Sequence, residues 1–427
     1  MATFFLLLEI SMFLYMGYFL FQKQELAVIH LPVWLFAQAV ITPVFPAFIN
    51  YILISSFVLY LIYKNLNFFS HNIFAILLTV LFLLLATKST DFVFLRPFLF
   101  SVIWLFLLIP LIDSIYRKYP GRILFRELSL SALVILIIFI VNVMLSSVAG
   151  YAPHAMYGIT SGILYGNLYA TDFNILAIAL FIVLLQVLNK KNLLHFVVFM
   201  LSLGFLMLSL RRSVMGLCLF GIAIALFIFL TAENFKTMAS FSVFFVIIGG
   251  VIILNTNFLD LFNERYALRG LDNRALDEEK RFLEYELLYN DLFVYQDYSP
   301  WLGYGLYDSG GNYGKGVLGT RTLHADLTSI VHSSGFVGLA LYLLMMFTAF
   351  SQSFGKAKSR ADYFIILFCA TVFLVYTITG RFSNIGSYVF LILLLMLPIS
   401  VKMPIRKRRV STDPKPKEHP HMLHQFE

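Results

Sequence analysis

The sequence predicts an all-α, polytopic membrane protein of about twelve transmembrane helices with one long extracytoplasmic loop that carries an amphipathic helix. Three observations lead there. Of 427 residues, 60% are hydrophobic and 13% charged, with a mean hydropathy of +0.85, whereas soluble domains hold about 45–50% apolar and about 25% charged residues. Apolar runs of roughly 18 residues recur along the whole length, as membrane-crossing helices require. The one long interruption, Arg281 to Gly338, is charged and rich in Tyr and Gly.

Taken in order, the runs are Phe4 to Phe21, Ile49 to Ile62, Ile73 to Ala86, Phe98 to Ile112, Ser129 to Ser147, Asp172 to Val187, Leu193 to Leu210, Val214 to Leu230, Phe241 to Leu254, Gly335 to Phe350, Tyr363 to Ile378 and Gly386 to Val401. Residues Glu25 to Phe45 are apolar but hold Pro32, Pro43 and Pro46, so they read as an interfacial or re-entrant piece. Four regions follow: spans one to nine in 1–255, a catalytic loop in 256–333, spans ten to twelve in 334–402, and a disordered cytoplasmic tail in 403–427. The first run has no basic region before it and no small-residue cleavage site after it, so it reads as a retained helix.

The net charge of +8 speaks for orientation rather than nucleic acid. Lys64, then Arg117, Lys118, Arg122 and Arg126, then Lys190 and Lys191, then Lys236, then Lys356, Lys358 and Arg360 fall in loops of one parity. Basic loops face the cytoplasm, which puts both termini inside and the long loop outside. Lys23, Lys88 and Arg96 break the pattern singly and read as headgroup anchors. Arg211 and Arg212 are adjacent in a very short turn on the outer side; they either snorkel to headgroups or hold an anion. Cys218 and Cys369 fall inside apolar runs, as buried thiols without a disulfide would.

Within the long loop, Phe282, Tyr285, Tyr289, Leu292 and Phe293 recur at helical spacing, with Glu284 and Asp291 on other faces; this predicts an amphipathic helix on the membrane or over the bundle. Tyr298-Ser299-Pro300-Trp301 breaks it, and seven glycines from Gly303 to Gly319 make a flexible crossing. His419, His421 and His424 in the tail lack partner ligands and do not predict a metal site; no cofactor is expected. The charged groups on the outer side are mostly arginines, with His324 and His332 beside them. Guanidinium groups bind diphosphate oxygens, and a histidine suits general base work.

The segment His324 to Gly338 resembles the O-antigen ligase and O-antigen polymerase superfamily. That family carries a His, usually followed by Asn, then nine residues, then Gly-x-x-Gly opening a span; here His324-Ala325 is followed by nine residues and Gly335-Phe336-Val337-Gly338. Pro300, Gly303 and Gly305 resemble its Pro-x-x-Gly-x-Gly stretch, Arg281 its loop-helix arginine, Arg212 the arginine of its Ser-Arg-Gly turn, and the stretch around Asn167 its outer loop. Ala325 departs from the family's Asn. The resemblance picks His324 over His332.

It implies a metal-independent, inverting transfer of an undecaprenyl-diphosphate-linked glycan to a sugar acceptor on the outer face of a bacterial inner membrane. His324, Arg212 and Arg281 would be catalytic; Arg211, Arg321, Asn167, Gly303, Gly305, Trp301 and Asp326 would line the diphosphate and glycan site. Partners would be the lipid-linked glycan, membrane lipids and other polysaccharide-assembly proteins, not nucleic acid. Ala325 tilts the expectation toward a polymerase joining repeat units. A ligase onto lipid A core stands as the alternative. A lipid-linked oligosaccharide flippase would spread charge through span interiors, which this sequence does not do.

Overall fold

In the computed structural model the chain is described from Ala2 to Val401, apart from 89–91, 151–165, 170, 191, 210, most of 231–279, 306–309, 320, 322, 324 and 380–384; side chains are also left aside at Ala2, 92–102, 280–282 and Thr379. The described backbone is helical, with two isolated bridges and no strand. Its main helices are α1 Ala2–Lys23, α2 Leu31–Val40, α3 Ala47–Lys64, α4 Ile73–Ala86, α5 Phe92–Tyr116, α6 Gly121–Val148, α7 Asn174–Lys190, α8 Leu193–Leu208, α9 Arg212–Phe229, α10 Lys280–Tyr289, α11 Asp326–Lys356, α12 Arg360–Thr379 and α13 Ile385–Leu395. Between α9 and α10 the described positions from Phe235 to Asn263 are also helical. Six helical stretches are long and apolar enough to cross a membrane by length and composition, and five shorter apolar helices accompany them. The chain is a multi-pass membrane protein.

Two helices form the centre. Every residue from Asn174 to Val187 in α7, and from Gly386 to Leu395 in α13, is buried. Both are apolar all round, and such helices find a place only where neighbours cover every face. α7 packs against α6, α8, α9 and α13; α13 also touches α2, α5 and α12. Phe181 stacks on Phe368 with ring centroids 4.0 Å apart, and Gly221 of α9 lets both rings approach. Cys218 and Cys369 are free and buried. The outer helices α3 and α4 present Leu59, Ile73, Leu77 and Leu84 outward, as a lipid-facing shell would.

The start of the chain departs from the expected layout. Residues 24–40 are not a surface piece: a 3-10 helix Gln24–His30 runs straight into α2, and nearly all of it is buried. Seven 3-10 residues at about 2 Å and ten α residues at about 1.5 Å span roughly 29 Å, close to the hydrocarbon thickness. The prolines do not interrupt it. Pro32 sits in the first turn of α2, where its missing N–H costs nothing, and Pro46 precedes α3 as its N-cap.

This crossing moves Lys23. Its Nζ lies 3.1 Å from Glu127 Oε1, beside Arg126. Lys118 reaches Glu25 at 2.9 Å and the Lys64 carbonyl at 3.4 Å. Lys23, Lys64, Arg117, Lys118 and Arg126 therefore share one face, the basic face, and the chain returns there when Val401 N–H donates to the Tyr119 carbonyl. Lys23 is an ion-pair partner at that face, not a lone anchor at the opposite one. α1 is 22 residues long, about 33 Å, so its Ala2 end lies at the far face, and the two ends of the described chain do not share a side as expected. The start of α11 and the described loop segments packed on it lie opposite the basic face.

Cysteines introduced at Ala2 and Val44 should react with a membrane-impermeant maleimide from one side of sealed vesicles, and those at Lys64 and Arg122 only from the other, over a silent background of buried native thiols. Labelling of Ala2→Cys from the same side as Lys64→Cys would contradict this path.

Candidate functional site

The loop face is organised by an interruption in α11. Gly335 has φ +63° and ψ −163° inside this helix, a conformation open essentially to glycine alone. The break leaves two carbonyls before it and two amides after it without helical partners, as at any helix end. The stretch Pro300 to Gly305 supplies all four. Tyr304 N–H donates to the His332 carbonyl at 2.7 Å and Gly305 N–H to the Ser333 carbonyl at 3.0 Å; Phe336 N–H donates to the Pro300 carbonyl at 2.8 Å and Val337 N–H to the Trp301 carbonyl at 3.2 Å.

This interlock needs bare backbone on both sides. A Cβ on Gly303, where φ is +67°, would lie 2.5 Å from the His332 carbonyl oxygen, and one on Gly335 would run into the Trp301 carbonyl. His332 is fully buried, lies face to face with Tyr304, and places Nε2 3.1 Å from the Asn312 carbonyl. It belongs to the scaffold.

α10 rests on this platform, with a one-turn π-helix, Asn290–Val294, continuing it. Leu288 and Leu292 pack on Val331 of α11, and Leu287 forms a small core with Tyr313 and Leu323. The two acids expected on the wet faces are inside. Asp291 accepts from Gly314 N–H at 2.7 Å and from the Tyr298 hydroxyl at 3.2 Å; burial and this carboxylate push the Tyr298 phenol far up, so it stays a donor. Glu284, fully buried, pairs with Arg321 at 3.0 Å. The aromatics Tyr289 and Phe293 face outward and continue into Phe336 and Trp301, an exposed row suited to headgroup level.

The candidate residues fall into separate groups. Trp301, Gly303 and Gly305 belong to the interlock, and Trp301 is 67% exposed. Arg321 is held by Glu284 as a brace of the loop. Asp326 is fully buried at the first turn of α11, where a helix N-terminus favours a carboxylate; burial, with Glu284 and Asp326 nearby, pushes the Tyr285 phenol up. Asn167 donates to the Val40 carbonyl at 3.1 Å and to Thr42 Oγ1 at 3.3 Å, tying its loop to the end of α2. Arg211 caps the start of α9 and Arg212 begins it; the far end of α9 meets Arg360 at the basic face, so both arginines open it at the loop face. His324, the tail and the side chain of Arg281 lie outside the described residues; Leu323 and Ala325, which flank His324, are both buried.

One cation was missed. Lys88, read singly as an anchor, brings its side chain against Gly305, with Nζ 3.3 Å from where a Cβ would stand. Its only sequence signal was position at the end of α4. Among the described residues no three His, Cys, Asp or Glu side chains gather as a metal would need.

Helices long enough to cross a membrane, and a polar loop locked by its backbone onto an interrupted helix at one face, define a multi-pass membrane protein. The family model for O-antigen ligase matches residues 196–343, from α8 through the loop to the first half of α11. That stretch is similar to the O-antigen ligase family. No curated protein matches the chain.

Gly335→Ala and Gly303→Ala should each cost about 1–3 kcal/mol from backbone strain alone, and should open residues 300–319 to protease under conditions that spare the wild type. Gly216→Ala, in α9 with open space around it, should leave the protein at least as stable. Wild-type protease resistance in both loop-face variants would contradict the interlock.

Proposed function

We propose that the protein transfers a glycan from an undecaprenyl diphosphate carrier to a sugar hydroxyl, joining repeat units as a polymerase in O-antigen, capsule or exopolysaccharide assembly. The observation that carries this reading is the coincidence of the matched family segment with the loop-face interlock. Residues 256–333 act as an outer loop, and the loop face is the periplasmic one, because the opposite face holds the clustered Lys and Arg. The membrane is the bacterial inner membrane, where the carrier resides.

In the reaction the acceptor hydroxyl attacks the anomeric carbon from the side opposite the diphosphate. The new C–O bond forms as the bond to the diphosphate oxygen breaks, with inversion. His324 takes the hydroxyl proton. Arg212, with Arg211, Arg281 and Lys88 at the same face, stabilises the charge that builds on the leaving diphosphate. Arg321 acts through Glu284 to hold α10 in place. The exposed row Tyr289, Phe293, Trp301 and Phe336 lies along the lipid and meets the polyprenyl chain.

The family model's own description, O-antigen ligase, favours a second reading in which finished glycan moves onto lipid A core. Ala325 in the place of the family's Asn favours the polymerase. The glycan profile of a deletion strain separates them: surface carrying a single repeat unit supports the polymerase, and bare core with accumulated lipid-linked polymer supports the ligase.

In a lipid-linked transfer assay, His324→Ala and Arg212→Ala should each lower the rate by about a hundredfold or more. Wild-type rates in both would remove these roles.

A further inference from the structure

The buried face of α10 carries a strap, the stretch from Tyr313 to Leu323. Glu284, Leu287 and Asp291 fall on successive turns of that face, and all three are buried. Asp291 accepts from Gly314 N–H at 2.7 Å. One turn back, Leu287 packs on Tyr313 and Leu323, and Gly314, at φ +56°, comes so close that a Cβ would stand 2.8 Å from the Leu287 side chain. A further turn back, Glu284 Oε1 lies 3.0 Å from both Nε and Nη2 of Arg321. The strap therefore runs antiparallel to the helix and is tied to it at both ends.

The two ties do not share one task. They are seven residues apart on the helix, 284 to 291, and seven apart on the strap, 314 to 321. Seven helical residues rise about 10 Å, whereas seven residues of open chain can reach about 24 Å. The excess is folded into turns: Gly316 N–H donates to the Tyr313 carbonyl at 3.2 Å and Gly319 N–H to the Gly316 carbonyl at 2.8 Å, with Val317 exposed between them. With that slack, the tie at Gly314 cannot dictate where residue 321 falls. Position 321 needs its own clamp, and Glu284 is it. An apolar pair would hold the two segments as firmly as a buried ion pair, but one carboxylate oxygen meets a guanidinium edge in one register alone.

The clamp stands three residues before His324. Leu323 packs on Leu287, and Ala325 is the N-cap of α11, its carbonyl accepting from Ser329 N–H at 3.0 Å. Neighbouring Cα atoms are about 3.8 Å apart, so whatever fixes Leu323 and Ala325 fixes the chain at 324. A slip of the strap by one residue would carry its end about 3.5 Å along α10, and misplacement of a reacting group by about 1 Å costs up to about a hundredfold in rate.

We infer that Glu284 is a positioning residue, acting through Arg321 to set where the chain presents His324. The part played by His324 rests on the glycan-transfer reading above; the clamp adds the device that places it.

Steady-state kinetics and thermal unfolding of the full-length protein in nanodiscs test it. The probe is the undecaprenyl-diphosphate-linked glycan extracted from a strain that lacks the protein. Glu284→Leu/Arg321→Leu should lower kcat about tenfold or more, with KM within about twofold, while Tm stays at or above the wild-type value. Arg321→Lys, which keeps the charge and loses the paired donors, should lower kcat about fivefold at unchanged Tm, and it decides the matter if the apolar pair fails to fold. Two glycines inserted after Val317 only lengthen the slack and should leave kcat within about threefold. Wild-type kcat in a folded apolar pair or, failing that, in Arg321→Lys overturns the inference. So does a fall of kcat strictly in step with Tm, or an insertion as damaging as the loss of the clamp. His324→Ala separates the two claims: if it is inactive while the clamp variants match the wild type, the inference alone fails, and if it is fully active, the reading beneath it fails and the inference with it.

Discussion

Four backbone hydrogen bonds across the break at Gly335 hold the loop face together. A helix interrupted in its third turn exposes carbonyls and amides that must be satisfied nearby. Here the chain satisfies them with itself, by laying Pro300 to Gly305 into the gap. Because the partners are backbone groups, the fit depends on close approach, and glycine is placed on both strands of the contact at positive φ. The same event sets the start of α11, and so the place at which Ala325 and Asp326 enter the membrane-spanning part of the fold.

The rest of the loop is hung from that contact by buried polar ties. Asp291 gathers Gly314 and Tyr298, Glu284 gathers Arg321, and His332 lies under Tyr304. Buried charges cost desolvation free energy and are kept only when paired. Their use here exchanges stability for a single defined loop geometry. Arg321 illustrates the division of labour: its guanidinium faces a carboxylate, so it serves the frame, while Arg211, Arg212 and Lys88 stand at the same face on the ends of membrane helices.

Much of this was legible in the sequence, and the reasons for the rest are physical. Apolar runs marked the long helices because hydrocarbon imposes a length. The glycines at 303 and 335 stood out because nothing else tolerates those torsions, and their spacing carried the family resemblance. The segment 24–40 is hidden from pattern reading because proline resembles a breaker, whereas Pro32 in a first helical turn breaks nothing. Glu284 and Asp291 were placed on wet faces because periodicity records polarity and not partners. Lys88 meets Gly305, far away along the sequence, and single-segment patterns carry no trace of such meetings.

The interlock is tested most directly by hydrogen exchange resolved to single amides in the wild-type protein. The account predicts that the amides of Tyr304, Gly305, Phe336 and Val337 exchange as slowly as those in the membrane helices around them. Exchange of Tyr304 and Phe336 at the rate of an open, solvated loop would contradict it.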